Sequence, residues 1–262
     1  MSRIAVGIEY DGSAYAGWQA QASAPSVQSV VEAAIGRVAD HPVSVTSAGR
    51  TDAGVHAIGQ VAHFDTDAGR SERAWALGAN TNLPNDVAVL WAREVPDEFH
   101  ARYSATARSY RYVILNRPTR PALARQRVCW IHGPLDAARM QQAANHLVGE
   151  HDFSAFRAAE CQSRTPMRRL ERILVTRSDE HVIIDVTANA FLHHMVRNIA
   201  GLLIEVGTGE AQPDWARAVL EGRDRTVAAA TAPAGGLYLM CVTYPAHFRL
   251  PARPDGSADV RL

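Results

Sequence analysis

One carboxylate of this chain stands in a sequence context that suits catalysis. Asp52 lies in the segment Ala-Gly-Arg-Thr-Asp-Ala-Gly-Val-His, residues 48–56, between two glycines and two residues after Arg50. Glycines allow a tight turn and the close approach of a ligand. An arginine within hydrogen-bond reach lowers the pKa of a carboxylate by roughly 1–3 units. The spacing fits equally well an Asx turn, in which Asp52 only caps its own loop, so it leaves both interpretations open.

A second group of polar residues lies in a predicted helix. Apolar residues recur at three- and four-residue spacing over 192–206, which predicts a helix with one buried face. His193 and Arg197 are four residues apart and would share a different face near the start of that helix, where backbone N–H groups favour anions. A ligand-binding edge and an ordinary solvent-exposed face both fit this pattern.

An aromatic residue with basic neighbours is the third candidate. Tyr110 lies in a predicted strand with Arg108 and Tyr112 on the same face. A tyrosine beside arginines can stack on a nucleobase or direct its hydroxyl at one. The alternative is a core aromatic, which is the commoner role of a single tyrosine in a strand.

The basic residues of the chain are unusual. All 27 are arginine, which excludes pyridoxal-phosphate chemistry on a lysine of the chain and a lysine-bearing phosphate loop. The net charge is zero, yet seven arginines lie between 102 and 127 with no acid, and five lie between 157 and 172 against two acids. Aromatic residues interleave with them. We therefore expect a polyanion-binding face whose affinity falls steeply with salt.

The cysteines, the histidines and the apolar runs indicate the cellular compartment and whether a metal site is expected. The three cysteines are far apart and form no CxxC pair, which favours a reducing compartment and argues against a zinc knuckle. His56, His63 and Asp65 are the best metal candidates, but no HxxxH spacing accompanies them, so we expect no metal. We recognise neither a bilayer-spanning apolar run nor a signal peptide, and therefore expect a cytoplasmic protein with no membrane partner.

The hydrophobic periodicities predict an α/β (α+β) protein of two tandem ferredoxin-like halves, 1–105 and 106–250, with a polar tail at 251–262. Their sheets are expected to merge into one mixed, mainly antiparallel sheet around a central cleft. The first half is predicted to contain strand 3–10, a helix capped by Ser26, strands 43–47 and 59–65, helix 71–79 and strand 87–93. The second half is predicted to contain strand 109–115, an irregular segment at 116–134, a helix capped by Asp136, strands 169–177 and 181–188, helix 192–206, a short helix from Pro213 and strand 237–243.

The segment 49–56 resembles the signature of the tRNA pseudouridine synthase A family. The resemblance extends from residue 3 to about 245, and the signature shows no departure. The other segments that carry it are residues 8–13 (Ile-Glu-Tyr-Asp-Gly-Ser), 17–19 (Gly-Trp-Gln), 99–108, 191–198 and 228–239.

The resemblance implies an isomerase that converts uridine to pseudouridine in the anticodon stem-loop of tRNA, at positions 38, 39 and 40. It also implies the pseudouridine synthase fold, a homodimer, and no metal or cofactor. By motif, Asp52 would be the catalytic carboxylate, Arg197 the arginine that pairs with it and Tyr110 the residue that packs on the target base. Arg50 is a second candidate for the pairing. The other expected substrate-binding residues are Arg108, Arg111, His193, His56 and Leu237.

Two other function classes serve as alternatives. One is a non-catalytic RNA-binding module of two RRM-like halves, although no RNP1 aromatic pattern occurs. The other is a metal-dependent nucleic-acid hydrolase built on His56, His63 and Asp65. For the isomerase, Asp52 could attack C1′ of the ribose or remove its 2′-proton, and the sequence leaves both routes open.

Overall fold

A computed structural model of the chain describes residues 1–251. The described backbone divides into two units, Met1–Thr106 together with residues 238–251, and Ala107–Leu237. Except for Pro251, the predicted polar tail 251–262 lies outside the described residues. The strands are β1 (Ser2–Tyr10), β2 (Thr46–Ser47), β3 (His56–Thr66), β4 (Val87–Val95), β5 (Ala107–Asn116), β6 (Cys129–Ile131), β7 (Gly149–Asp152), β8 (Met167–Ser178), β9 (His181–Ala188) and β10 (Leu237–Thr243). The helices are α1 (Val27–Ala39), α2 (Glu72–Asn82), α3 (Ala137–Asn145), α4 (Met195–Thr208) and α5 (Trp215–Gly222).

The first unit is built around β1, which pairs antiparallel with β3 on one side and β4 on the other. The opposite edge of β3 takes two partners: β2 runs antiparallel to residues 62 and 63, and β10 runs parallel to residues 56 and 57. Helices α1 and α2 pack against each other, and α2 also packs against β4. The predicted order β-α-β-β-α-β is therefore confirmed for this part of the chain.

Side-chain caps start the helices where the sequence predicts them. The Ser26 hydroxyl accepts a hydrogen bond from Ser29 N before α1, and the Asp136 carboxylate accepts two backbone N–H groups of α3. Strand β2 is shorter than the predicted 43–47 because the Glu32 carboxylate accepts the N–H of Val45. A backbone donor that already bonds a side chain is lost to the sheet.

The second unit has the antiparallel strand order β5-β9-β8-β7, with β6 parallel to β5. Strands β6 and β7 are absent from the sequence prediction, and β6 lies within the segment 116–134 that was expected to be irregular. Three or four residues are too few to show a period, so strands this short are formed by the partner that pairs with them.

Helix α4 begins later than predicted. His194 has a φ of +61°, outside the right-handed helical region, and the helix therefore starts at Met195 and runs to Thr208. The carbonyl of His193 accepts a hydrogen bond from Ala158 N instead of joining the helix. The prediction that His193 and Arg197 share one helical face is therefore wrong.

Both units combine helices with mainly antiparallel strands, which confirms the predicted α/β (α+β) class. Parallel pairing does occur, for example between β3 and β10 and between β5 and β6. In the part of the chain that the structure describes, none of the helices has the length and apolar character needed to cross a membrane.

Candidate functional site

Asp52 opens a β-turn in the loop between β2 and β3. The turn is closed by a main-chain hydrogen bond of 3.1 Å from Val55 N to the Asp52 carbonyl. Gly54, the third residue of the turn, has a φ of +77°, which a side chain would oppose. Because the main chain closes the turn, the half-buried Asp52 carboxylate is not required for that closure.

A second segment, residues 12–18, lies directly against this loop. Gly17 has a φ of +97°, and a Cβ at this position would meet the Thr51 carbonyl oxygen at 2.6 Å. The next residue, Trp18, donates its N–H to the same oxygen over 3.0 Å. A Cβ on Gly12 would lie 2.0 Å from the Val55 carbonyl oxygen. The two glycines therefore allow the segment to approach and hold the loop on both sides of Asp52.

A buried polar network supports the residues that precede Asp52. The hydroxyls of Tyr10 and Thr51 are 2.8 Å apart, and Gln60 Nε2 donates to the Gly49 carbonyl over 2.7 Å. Burial raises the pKa of Tyr10 to about 12, partly offset by hydrogen bonds from Thr51 and Gln60, so the phenol stays protonated. The network thus anchors the chain on each side of Arg50, whose side chain is exposed.

His56, an expected substrate-binding residue, is buried at the start of β3 and is only 2% exposed. Its Nδ1 accepts Gly12 N over 3.1 Å and lies 3.1 Å from the Asp11 carboxylate. Its ring stacks on Tyr238 with a centroid distance of 4.7 Å. These contacts connect the segment around Gly12, the end of the Asp52 loop and β10.

The residues of the metal hypothesis have separate partners in the first unit. His63 Nδ1 accepts Ala101 N, and burial lowers the pKa of His63 to about 4, assisted by the neighbouring charges of His100 and Arg3. Asp65 forms a bidentate ion pair with Arg3, at 2.7 and 2.8 Å, and these hydrogen bonds lower the pKa of Asp65. Because His56 accepts the Gly12 N–H, the contacts of the three residues favour structural roles.

In the second unit, β5 carries Tyr110 in an aromatic contact. Tyr110 is 9% exposed, and its ring meets Phe191 edge to face at 5.0 Å. On the same strand, Arg108 donates to the Asn189 carbonyl over 3.0 Å. Arg111 forms a two-bond ion pair with Asp185, its cross-strand neighbour on β9, at 2.8 and 3.0 Å. Contacts within the unit therefore orient the expected substrate-binding residues of β5.

The start of α4 is held by two backbone contacts. His193 N donates to Cys161 Sγ over 3.4 Å, and its ring lies 4.1 Å from that of His194. Arg197 Nε donates to the Ala232 carbonyl over 2.8 Å, which fixes the stem of this half-buried guanidinium.

Leu237, the remaining expected binding residue, opens β10 and is buried.

Only some of the arginines of the two basic segments face solvent. The exposed ones are Arg102, Arg120, Arg125, Arg127, Arg164, Arg169 and Arg172. The others bond within their own unit: Arg111 and Arg117 pair with carboxylates, and Arg108, Arg157 and Arg168 bond backbone carbonyls. Exposed guanidinium groups can contact phosphates, while these internal bonds orient the other side chains.

Sequence reasoning assigned no role to the residues that support the Asp52 loop. Gly12, Gly17 and Tyr10 belong to segments that carried the family resemblance, whereas Gln60 belongs to none. The available signal was the pair of glycines after β1, since glycine is the residue that permits such close backbone contact.

Comparison with solved structures gives only a low likeness. A chain in the crystal structure of a Cbf5–Nop10–Gar1 complex aligns with a TM-score of 0.40 and 12% identity, over 90% of this chain and 48% of that one. This chain thus spans about half the length of that protein, and a score this low supports no argument.

Comparison with curated proteins gives close relatives. The tRNA pseudouridine synthase A of Coxiella burnetii is 57% identical over 256 residues, which cover 98% of each chain. That of Vibrio cholerae serotype O1 is 59% identical over 97% of this chain and 96% of the relative. That of Klebsiella pneumoniae subsp. pneumoniae is 58% identical over 97% and 94%.

A family described as tRNA pseudouridine synthase matches residues 7–104 and 143–245, which contain the Asp52 loop and the start of α4. More than half of the chain is matched, and the relatives share more than half of their residues with it over nearly their full length. The chain belongs to the tRNA pseudouridine synthase family.

Proposed function

We propose that this chain isomerises uridine to pseudouridine in the 3′ half of the anticodon stem-loop of tRNA. The observation that carries the proposal is the 57% identity to a tRNA pseudouridine synthase A over 98% of both chains. The geometry of the Asp52 loop supports it, because a carboxylate in a rigid, glycine-supported turn can be held in one position against a substrate.

Asp52 is proposed as the catalytic carboxylate. The reaction breaks the C1′–N1 glycosidic bond of the uridine, turns the uracil and joins C1′ to C5; C5 then loses its proton and N1 gains one, so that the product is an isomer of the substrate. Asp52 could attack C1′ or remove the 2′-proton, and each route requires the ionised form. A guanidinium about 4 Å from a carboxylate stabilises that form by about 4 kcal/mol at an effective dielectric near 20. The family resemblance assigns this part to Arg197, and Arg50 is the alternative because it lies two residues from Asp52.

Tyr110 is proposed as the aromatic residue that packs on the displaced base. A base that leaves its stack costs a few kcal/mol, and contact with an aromatic ring offsets part of this cost. The edge contact with Phe191 supports this role because it orients the Tyr110 ring before RNA arrives.

The remaining expected binding residues divide by their contacts. Arg108, His193 and Leu237 are proposed to help hold the substrate. For His56 and Arg111, the bonds to Gly12 and Asp185 favour indirect roles, in which they keep other residues in place.

Three further properties are proposed with the function. The exposed arginines support tRNA binding through phosphates, whose affinity should decrease as salt increases. The family resemblance supports a homodimer, which light scattering coupled to size exclusion would test. A cytoplasmic location follows from the substrate and the scattered cysteines.

The test is to incubate the full chain with an unmodified tRNA transcript and to map new pseudouridine by carbodiimide modification and reverse transcription. We expect modification in the 3′ half of the anticodon stem-loop. Asp52→Asn, which preserves the shape of the side chain, should lose turnover by at least about 1,000-fold while tRNA affinity changes less than about threefold. A wild-type chain without activity would refute the function, and an active Asp52→Asn variant would refute the catalytic assignment.

Metal removal separates the isomerase from the hydrolase alternative. We expect full pseudouridine formation after treatment with a chelator, since no step requires a metal. Complete loss of activity with EDTA, restored by a divalent cation at constant tRNA structure, would support the metal-dependent alternative.

A further inference from the structure

The segment 99–104 of the first unit presents an aromatic residue to solvent. Tyr103 is 76% exposed, which makes it the most exposed aromatic side chain in the described part of the chain. The adjacent Arg102 is also exposed, and its guanidinium carbon lies 5.7 Å from the centre of the Tyr103 ring. The proposed chemistry of Asp52 makes no use of this pair.

The turn that carries the pair is closed by its own hydrogen bonds. His100 Nδ1 accepts the backbone N–H groups of Arg102 and Tyr103 over 3.1 and 3.2 Å. Ser104 N donates to the His100 carbonyl, and His100 N donates to the Ser104 hydroxyl. Burial and the positive charges of Arg3 and Arg102 lower the pKa of His100, which keeps Nδ1 available as an acceptor at neutral pH.

The turn is also anchored to the sheet of its unit. Ala101 N donates to His63 Nδ1, and the Tyr244 hydroxyl donates to the Ala101 carbonyl over 2.6 Å. Arg3 donates to the carbonyl of the fully buried Phe99 over 2.9 Å. The backbone under Tyr103 is therefore fixed from both sides, so little conformational entropy is left to lose when a ligand binds.

The Tyr103 side chain is oriented by a neighbouring ring but remains largely exposed to solvent. The Tyr103 ring lies 4.3 Å from that of His100 at an interplanar angle of 34°. Among residues 1–251, no hydrogen bond involves the Tyr103 hydroxyl, so no bond within this part of the fold explains why the ring is placed outside. A rigid exposed ring beside a guanidinium is the arrangement that proteins use to stack the bases of single-stranded nucleic acid.

The charge around the turn favours RNA over a protein partner. The turn itself, residues 99–104, contains Arg102 and no Asp or Glu, and the nearest acids along the chain are the exposed Asp97 and Glu98 that precede it. The core of a protein interface is an apolar patch, whereas Ala101 and Phe99, the apolar neighbours of Tyr103 in this turn, are buried. An exposed aromatic ring beside a guanidinium matches a base and its phosphate.

We propose that Tyr103 and Arg102 form a stacking platform for an unpaired nucleobase of the tRNA, other than the uridine that reacts. Tyr103 would stack on the base, and Arg102 would contact the adjacent phosphate. This inference rests on the proposed function for the identity of the RNA, but its test measures binding and does not require turnover.

The experiment measures the Kd of an unmodified tRNA transcript for full-length variants by fluorescence anisotropy at fixed salt. Tyr103→Ala should weaken binding by about tenfold, within the range typical of the loss of one base–aromatic stack. Tyr103→Phe should bind within twofold of wild type because it keeps the ring. Leu77→Ala removes a side chain of the same unit that is 54% exposed, and as the matched control it should leave Kd unchanged.

Two further variants keep the inference falsifiable. Tyr103→Leu retains apolar bulk without a ring and should bind as weakly as Tyr103→Ala. If circular dichroism shows that one of the two variants misfolds, the other variant tests the stacking. Arg102→Gln should reduce the slope of log Kd against log salt by about one.

Unchanged tRNA affinity in Tyr103→Ala and Tyr103→Leu would overturn the inference, even if the wild-type chain makes pseudouridine. A shift of these variants to a smaller oligomer in the absence of RNA would assign the surface to a protein interface and would also overturn it. Weakened binding in a chain without synthase activity would refute the proposed function and leave the platform standing.

Discussion

Gly17 offers a direct test of how rigidly the Asp52 loop must be held. A Cβ added to Gly17 would meet three backbone atoms of the loop: the Thr51 carbonyl oxygen at 2.6 Å, the Asp52 carbonyl carbon at 3.0 Å and Ala53 N at 3.1 Å. None of these atoms is the end of a flexible side chain. In Gly17→Ala the loop backbone must therefore move.

The size of the displacement follows from the contact distances. Ordinary van der Waals contact of a Cβ begins at 3.4 Å, so a Thr51 oxygen at 2.6 Å must retreat by about 0.8 Å. A misplacement of about 1 Å costs roughly 100-fold in rate when a reacting group must be aligned. The φ of +97° adds a backbone strain of about 1–2 kcal/mol for any L-residue with a side chain. We expect kcat to fall by about 100-fold and the unfolding midpoint to fall by several degrees.

The assay is single-turnover pseudouridine formation at saturating tRNA, together with thermal unfolding. Gly209→Ala is the matched control, since Gly209 has a φ of +89° but a Cβ added there would meet nothing within 4 Å. It should lose similar stability through strain and keep its kcat.

A Gly17→Ala variant that keeps wild-type kcat while remaining folded would refute the idea that the close glycine contact positions Asp52. Equal rate losses in Gly17→Ala and Gly209→Ala would also refute it, because they would assign the effect to general destabilisation.

Two more predictions concern stability in the first unit. Tyr10→Phe should lower the unfolding free energy by about 1–3 kcal/mol in a urea titration, because it leaves the buried Thr51 hydroxyl without a partner; an unchanged midpoint would contradict the network. His63 has a pKa of about 4 in the folded chain, below its ordinary 6.5, so the unfolded chain binds more protons between these values. The contribution of neutral His63 to the free energy of unfolding should be complete above pH 6.5. It should decrease by up to about 3 kcal/mol as the pH falls towards 4. Urea titrations of the wild type and His63→Gln across this window should show a smaller decline in the variant, and identical pH profiles would rule the assignment out.

Local patterns were sufficient for much of the secondary structure. Ser26 and Asp136 cap α1 and α3 as predicted, because a cap bonds N–H groups only two or three residues away. The alternation in β1 likewise depends on neighbours along the chain. The glycine-bounded context of Asp52 could be read from the sequence as a turn, since glycine at a positive φ is a local requirement.

Partners distant in sequence decided what these patterns could not. His56 looked available for a substrate, yet its ring is buried and stacks on Tyr238. Likewise, bonds from Ala158 to the His193 carbonyl and from His193 to Cys161 hold His193 before the start of α4.

The same holds for the sheets and the arginines. The closing strand β10, assigned to the second half by order along the chain, pairs with β3 of the first unit. Arg111 and Arg102 belong to the same acid-free segment, and the sequence does not distinguish their roles. In the structure Arg111 pairs with Asp185 on the neighbouring strand, whereas Arg102 is exposed.

The sequence by itself therefore determined the elements and the segment that carries the proposed chemistry, because helix caps, glycine turns and side-chain periods act over a few residues. Only the tertiary structure decided which polar groups are bonded and buried and which face solvent. A hydrogen bond or ion pair depends on distance in space, and residues more than a hundred positions apart come within 3 Å only when the chain folds.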